Sequence, residues 1–219
     1  MNYLEAQRKS KIRFGEDGNA LLMLIIINVS VFVLLNFIQI VYVLSNSTQE
    51  LFVKEVLNWV ILPGSPATLL TRPWVLLTHM VSHYSVWQMI GNMFFLWAFG
   101  YLLQDLMGNR HIVPLYIYGA LAGALLFLLS ANLLPRFQPL AGVTYLSGGA
   151  AAIMAIAIAT TVTAPDYRVF PMINGGIPLW VITLIYVIID FAGLASASFP
   201  THLAHLAGCL LYTSDAADE

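Results

Sequence analysis

Two polar residues that lie far apart in the sequence, Ser147 and His205, could together carry out nucleophilic catalysis. Ser147 stands in the stretch G-V-T-Y-L-S-G-G-A-A-A-I-M at 142–154, and His205 stands in T-H-L-A-H-L-A-G at 201–208. A serine is a poor nucleophile unless a neighbouring base takes its proton. If the fold brings the two residues together, His205 would accept that proton and later return it to a leaving amine.

A third stretch, H-M-V-S-H-Y-S-V-W-Q-M-I-G-N at 79–92, supplies hydrogen-bonding side chains. His79 and His83 are four residues apart, as are Gln88 and Asn92, and this spacing places each pair on one face of a helix. Side-chain amides, together with a backbone N–H at the start of a helix, stabilise a developing oxyanion. Each of these features taken alone is more often structural than catalytic.

The composition identifies the solvent in which such a site would work. Of the 219 residues, 59% are hydrophobic and 9% are charged, whereas soluble domains carry roughly 25% charged residues. This composition predicts an integral membrane protein whose surroundings are a lipid bilayer. The 9 basic and 11 acidic residues give no basic footprint for a nucleic-acid partner, and the single Cys209 excludes an internal disulfide framework.

Apolar runs predict the elements that must position these residues. A spanning helix needs about 20 mostly apolar residues, and the first run is too long for the core of a signal peptide, so we expect it to be retained. The sequence therefore predicts an all-α membrane protein, a bundle of six transmembrane helices in one domain. The predicted spans are 20–44, 86–104, 111–134, 146–163, 177–195 and a sixth that begins near 201.

The distribution of Lys and Arg predicts the orientation of the chain, because cytoplasmic segments carry an excess of these residues. With six alternating spans and a cytoplasmic N-terminus, six basic residues fall inside and three fall outside. The inside group is Arg8, Lys9, Lys11, Arg13, Arg110 and Arg168, and the outside group is Lys54, Arg72 and Arg136. This orientation places Ser147, His205 and Asn92 at a similar depth, near the outer surface.

Small residues predict where the helices pack most closely. Ser147 to Ala152 is a run of serine, glycine and alanine at the start of the fourth span, and Gly208 follows His205 by three residues. Because small residues let helix backbones approach each other in membranes, we expect the fourth span to lie at the centre of the bundle.

The two ends of the chain are predicted to lie outside the membrane domain. Residues 1–18 are expected to form a cytoplasmic N-terminal segment, and 19–208 the membrane domain. The last stretch, C-L-L-Y-T-S-D-A-A-D-E at 209–219, resembles the translation of a sequencing-library adapter. We therefore predict that 209–219 is a non-native tail and that the sixth helix is truncated near Gly208.

Taken in chain order, these motifs resemble the rhomboid family of intramembrane serine proteases. The resemblance rests on H-x-x-x-H-x-x-x-x-x-x-x-x-N in the second span, a G-x-S-G-like start to the fourth and A-H-x-x-G in the sixth, and it covers roughly 70–208. It implies a rhomboid-like bundle that cleaves transmembrane protein substrates without a cofactor.

The same resemblance implies a role for each site residue. Ser147 and His205 would form the catalytic dyad, and Asn92 and Gln88 would stabilise the oxyanion, with Gln88 where the family has a histidine. His83 would be a structural histidine. Gly148 would follow the nucleophile, and Gly208 would be the glycine of the A-H-x-x-G motif. The apolar, proline-punctuated stretch 50–73 would be a half-inserted loop.

The serine motif fits the sequence in two registers. In the first, Ser147 is the nucleophile, although Tyr145 replaces the leading glycine of G-x-S-G. In the second, Gly148-Gly149-Ala150 is a G-x-S motif whose nucleophile is missing, and the residues that follow Ala150 fit the family better. The two candidates are almost one helical turn apart. The sequence alone therefore allows an active protease with Ser147 or an inactive homologue with Ala150 that binds membrane proteins.

Two other classes of membrane protein are weaker alternatives. A metalloprotease using His79, His83 and His202 or His205 would be expected to carry H-E-x-x-H, but the predicted spans contain no glutamate, so no metal site is predicted. A transporter would favour internal repeats and broken helices, whereas Pro114 and Pro178 lie only near helix ends. Asp190 is expensive in lipid and is expected to face the bundle, but the sequence assigns it no role.

Overall fold

The computed structural model describes residues 19–169 and 176–215, and the predicted cytoplasmic segment 1–18 lies outside the described residues. The described chain is mostly helical. In chain order the helices are α1 (Ala20–Leu44), α2 (Gln49–Glu55), α3 (Pro66–Thr71), α4 (Val75–Thr78), α5 (Val86–Met107), α6 (Ile112–Leu133), α7 (Ala150–Thr163), α8 (Leu179–Gly193) and α9 (Phe199–Asp215). Four short strands are β1 (Leu62–Pro63), β2 (Tyr145–Leu146), β3 (Arg168–Val169) and β4 (Ile177–Pro178).

Long helices correspond to the predicted spans, but they differ in length. Three segments within the described chain are long and apolar enough to cross a bilayer: Ala20–Leu44, Val86–Met107 and Asn109–Leu133. Helices α7 and α8 have 14 and 15 residues. At 1.5 Å per residue, they extend only about 21 to 23 Å, which is less than the hydrocarbon thickness of about 30 Å. Six complete spans therefore stay a prediction.

Helix α7 occupies the interior of the bundle. Every residue from Ala150 to Ala157 is buried, and α5, α6 and α9 all pack against this helix. The close packing follows from the small side chains, because alanine and glycine leave room for a neighbouring backbone on several sides. The position of α7 agrees with the expectation drawn from its small residues.

A small antiparallel sheet fixes the segment that leads into α7. Strand β1 lies in the connection after α1 and pairs with β2, with Leu62 opposite Leu146. Both leucines are fully buried or nearly so, so the pairing is anchored by apolar packing as well as by its hydrogen bonds. Because β2 ends at Leu146, the sheet determines where the next residue, Ser147, enters the bundle.

Buried polar groups link α1, α6 and the segment before α5. The hydroxyl of Tyr116 donates to the carbonyl of Met80 at 2.8 Å and lies 3.2 Å from Asn28 Oδ1. Asn28 in turn donates from Nδ2 to the Leu24 carbonyl at 2.8 Å. Unpaired polar groups cost several kcal/mol in hydrocarbon. These hydrogen bonds therefore hold the segment before α5 against α1 and α6.

Helix α9 continues past the predicted truncation. It runs from Phe199 to Asp215, which is seven residues beyond Gly208, whereas the sequence predicts a break near that glycine. Both a native segment and a translated adapter could adopt an α-helical backbone here. The prediction that 209–219 is a non-native tail therefore stays a prediction.

Candidate active site

The backbone just before α7 passes through two glycines into the N-terminus of the helix. Gly148 has a φ of +86°, a conformation that glycine adopts without the steric cost of a Cβ, and its N–H donates to the His79 carbonyl at 2.8 Å. Gly149 precedes the helix, and the first intrahelical bond is from the Ile153 N–H to the Gly149 carbonyl at 2.9 Å. The N–H groups of the first turn therefore have no intrahelical acceptor, which is the general condition under which helix N-termini bind anions.

Ala150 is the first residue of α7, and its side chain is buried. Ser147 lies three residues earlier, next to β2 and outside the helix. The predicted fourth span begins at 146, and the helix itself begins four residues later. This boundary separates the two candidate nucleophile positions, because one is helical and the other is not.

Gln88 contacts the segment that contains Ser147. Its Nε2 donates to the backbone carbonyl of Ser147 at 2.9 Å. A Cβ added to Gly148 would lie 2.9 Å from the same Gln88 nitrogen and 3.1 Å from the His83 ring. Gln88 and His83 therefore pack directly against the turn before α7, and the amide of Gln88 is engaged by a backbone carbonyl.

Asn92 and His83 form a buried pair. Asn92 Nδ2 donates to His83 Nε2 at 2.9 Å, and both side chains are buried. Burial lowers the pKa of His83, which lies outside the spanning helices, to about 4. His83 is therefore neutral near pH 7, which allows its Nε2 to accept this hydrogen bond.

His79 and His83 do not share a helical face, and that expectation is wrong. His79 belongs to a 3₁₀ turn, His79–Val81, and the chain is irregular from Ser82 until α5 begins at Val86. His79 Nδ1 instead bonds to the Val75 carbonyl at 2.9 Å. The helical repeat fails here because tertiary contacts to Gly148 and Tyr116 hold this segment in an irregular conformation.

His205 is oriented by a carboxylate that the sequence analysis left without a role. His205 Nδ1 lies 2.9 Å from Asp190 Oδ1, so α8 and α9 are joined at this point. His205 Nε2 is buried and has no hydrogen-bond partner in the described part of the chain. Within the same residues, no hydrogen bond joins Ser147 Oγ to His205, and the catalytic dyad predicted from the motifs stays untested.

The packing of α9 on α7 determines where His205 lies along the length of α7. A Cβ on Gly208 would collide with the Ala151 carbonyl and approach the Ala155 nitrogen. A Cβ on Gly123 of α6 would meet both Ala151 Cβ and the Ala204 carbonyl. The residue that precedes His205 is therefore beside Ala151, in the first turn of α7.

A cavity of about 710 Å³ lies between α5 and α8. Apolar side chains line much of it, including Phe94, Trp97 and Ile182, and Phe94 and Trp97 are exposed on the surface of the bundle. Phe95 stacks on Tyr186 with ring centroids 4.7 Å apart, and this contact bridges the two helices. The turn after α7 forms one end of the cavity, where Asp166 and Arg168 belong to the lining. The cavity is therefore a largely apolar recess that ends at a charged turn, at the end of α7 opposite Ala150.

The Asp190 contact was missed because no sequence motif connects it with His205. The one available signal was the presence of an aspartate in an apolar span, fifteen residues before the histidine. Such residues usually mark functional sites or find a specific partner.

The family comparison agrees with the motifs on which the resemblance rests. A family model described as Rhomboid domain matches residues 70–213, which is more than half of the chain. This range includes Gln88, Asn92, Ser147 and His205, and it leaves out α1. No curated protein gives a significant match to the chain.

Proposed function

We propose that this chain, which belongs to the rhomboid family, is a catalytically inactive member that binds transmembrane segments of other membrane proteins. The family consists generally of serine intramembrane proteases that act on membrane protein substrates in a bilayer, and the match together with the apolar helices makes this chain an integral membrane protein. The observation that carries the proposal is the start of α7 at Ala150.

The position of Ala150 at the start of α7 supports its assignment to the nucleophile position. A nucleophile must stand beside donors that hold the oxyanion, and Ala150 is the first residue of α7, where the N–H groups have no intrahelical acceptor. The glycine with positive φ, Gly148, comes two residues earlier, which is the place of the leading glycine when G-x-S is aligned on Gly148-Gly149-Ala150. A methyl group cannot attack a carbonyl, so this register predicts no peptide hydrolysis.

The other residues that the resemblance assigns to a proteolytic site are present near the segment that leads into α7. Asn92 and Gln88 lie on the side of α5 that faces the turn before α7, as their contacts with His83 and Ser147 indicate. His205 lies near the first turn of α7 with its Nε2 unpaired within the described residues. An apolar segment would therefore meet a preformed site that lacks the reacting hydroxyl.

The recess between α5 and α8 supports a binding function. Its volume of about 710 Å³ is within the range of ligand pockets, about 300 to 1,000 Å³, and suits several side chains of a helix. Exposed aromatic residues beside it, such as Phe94 and Trp97, offer contact area with little conformational entropy to lose. We assign the transmembrane segment of a partner to this recess.

Filling the recess should weaken binding. Ile182→Trp places a larger ring in the cavity and is expected to reduce the affinity for a fluorescently labelled single-span peptide at least about tenfold, a loss of 1.4 kcal/mol or more. The measurement is a titration of the full chain in bicelles. The matched control is Leu125→Trp, which adds the same ring at an exposed position of α6. Equal affinities for the two variants would contradict the assignment of the recess.

A second candidate function is proteolysis by a Ser147–His205 dyad. It is favoured by the contact of Gln88 with the Ser147 carbonyl, which keeps the serine next to a predicted oxyanion donor. In this register Gly148 follows the nucleophile, and Asn92 and Gln88 would stabilise the oxyanion. Cleavage of a transmembrane substrate by the wild type, lost in both Ser147→Ala and His205→Ala, would establish this candidate and exclude the inactive one.

We also infer that the N-terminus is cytoplasmic and that residues 19–208 form the membrane domain. The inference is supported by the six basic residues that fall on that side against three on the other. A fluorescent protein fused before Met1 should then be protected from protease added outside intact cells. Digestion of the fused protein would reverse the orientation.

A further inference from the structure

Three side chains that commonly ligate metals converge between α8 and α9. They are Asp190 on α8 and His202 and His205 on α9, and their ligand atoms all lie within 4.8 Å of one another. His202 Nδ1 and His205 Nδ1 are each 2.9 Å from the same carboxylate oxygen, Asp190 Oδ1. A carboxylate and two imidazoles are the donor set of many catalytic zinc sites and non-haem iron sites.

The hydrogen bonds between these residues leave the carboxylate incompletely satisfied. Asp190 is only 4% exposed, and its second oxygen, Oδ2, is buried without a hydrogen-bond partner among the described residues. Both imidazoles approach Oδ1, so the acceptor capacity of Oδ2 is unused. Because an aspartate in a spanning helix is expensive without compensation, the unused oxygen points to a bound cation.

The surface of α8 is shaped to hold His202 in this cluster. The imidazole ring occupies the position that a Cβ on Gly193 would take, so any side chain at 193 would collide with it. Gly193 lies one turn after Asp190 on the same helix. The glycine therefore keeps the His202 ring against α8, with Nδ1 directed at the carboxylate.

We infer that Asp190, His202 and His205 bind one divalent transition metal ion, with zinc as the simplest representative. Zinc bonds to nitrogen and carboxylate oxygen are about 2.0 to 2.2 Å long, so neighbouring ligand atoms of a tetrahedral site lie about 3.3 Å apart. Each Nδ1 is now 2.9 Å from Oδ1, so the ion would replace these two hydrogen bonds, with the ring protons on Nε2 and each Nδ1 about 0.4 Å farther from Oδ1. The His202 side chain is 26% exposed, which gives the ion a path to the cluster.

The site is independent of the assignment of the nucleophile. A metal on Nδ1 of His205 leaves the ring proton on Nε2, so the free nitrogen of the imidazole is a donor rather than a base. This arrangement suits a protein in which His205 performs no proton transfer. The three ligands are nevertheless present whether the serine motif is aligned on Ser147 or on Ala150. Metal content is also measured without any cleavage assay, so failure here and failure of the proposed function are distinguishable.

The test measures the zinc content of the full chain. The protein is purified in detergent without an oligohistidine tag, stripped of metal with a chelator, loaded with Zn²⁺ and then washed. We expect about one zinc per chain, with a loss of at least tenfold in affinity for Asp190→Asn and His202→Gln. Gly193→Ala, which retains all three ligand residues but displaces the His202 ring, should also weaken binding. The control is His111→Gln, whose Nδ1 bonds to the Met107 carbonyl away from the cluster and which should bind like the wild type.

Thermal unfolding separates loss of the site from loss of the fold. Added Zn²⁺ should raise the Tm of the wild type and of His111→Gln but not that of His202→Gln. The His202→Gln variant keeps the buried Asp190–His205 contact, so it is expected to fold even if Asp190→Asn does not. The inference is overturned if the wild type binds no zinc. It is equally overturned if His202→Gln binds zinc as tightly as the wild type, because the ion would then be held elsewhere, for example by Cys209.

Discussion

Ala150→Ser is expected to turn an inactive protein into one that cleaves transmembrane substrates. The new hydroxyl would stand at the first residue of α7, next to N–H groups that have no intrahelical acceptor. The prediction requires that it also reach His205, whose Nε2 has no partner in the described residues. General-base catalysis alone contributes about 10²- to 10⁴-fold. We therefore expect cleavage at least about 100-fold above the wild-type background.

The measurement is the appearance of cleaved product from a single-span substrate reconstituted with each variant. The matched control is Ala150→Ser combined with His205→Ala, which keeps the hydroxyl and removes the base and should return to background. Ser147→Ala in the wild-type chain should change nothing. If instead the wild type cleaves and Ser147→Ala abolishes cleavage, the nucleophile is Ser147 and the inactive assignment is wrong.

The two registers illustrate where prediction from the sequence stops. Ser147 and Ala150 differ by three residues, which is almost one helical turn and about 4.5 Å along a helix axis. A helical reading of the whole segment would place both on the same face. The difference arises from the backbone, because β2 pairs with β1 up to Leu146 and Gly148 adopts a positive φ, so only Ala150 is helical.

Apolar content was the reliable signal for the fold, since spans of about 20 residues are required by the bilayer itself. The helices α1, α5 and α6 lie where the sequence predicts them. The sequence predicts a helix over 79–85 because two histidines lie four residues apart, and this prediction is wrong. The spacing carries no information about the hydrogen bonds that residues 79 and 80 make with Gly148 and Tyr116. Those bonds come from parts of the chain that are distant in sequence.

The partner of His205 could not be predicted from the sequence for a related reason. Asp190 lies fifteen residues before His205 and on a different helix, so no periodic pattern connects them. Their contact depends on the turn between α8 and α9 and on the absence of a side chain at Gly193. Polar residues in apolar helices indicate that a partner exists, but the fold determines which partner it is.

The second large effect is expected from Gly208→Ala. Gly208 lies where α9 crosses α7, and an added methyl would collide with the backbone carbonyl of Ala151, which cannot rotate away as a side chain can. The helices must separate, and overpacking of this kind typically costs about 1 to 3 kcal/mol and sometimes more. A clear fall in the Tm of the detergent-solubilised protein is the expected result.

Gly91→Ala provides the matched control, since it is also a glycine-to-alanine change in an apolar helix. A Cβ on Gly91 of α5 would meet nothing within 4 Å, so the change should be neutral or stabilising by up to about 1 kcal/mol through the better helix propensity of alanine. Both glycines lie inside helices, and they differ in whether a neighbouring helix occupies the space of the added methyl. Equal Tm values for the two variants would mean that α9 does not approach α7 at Gly208, and the placement of His205 beside the first turn of α7 would be lost with it.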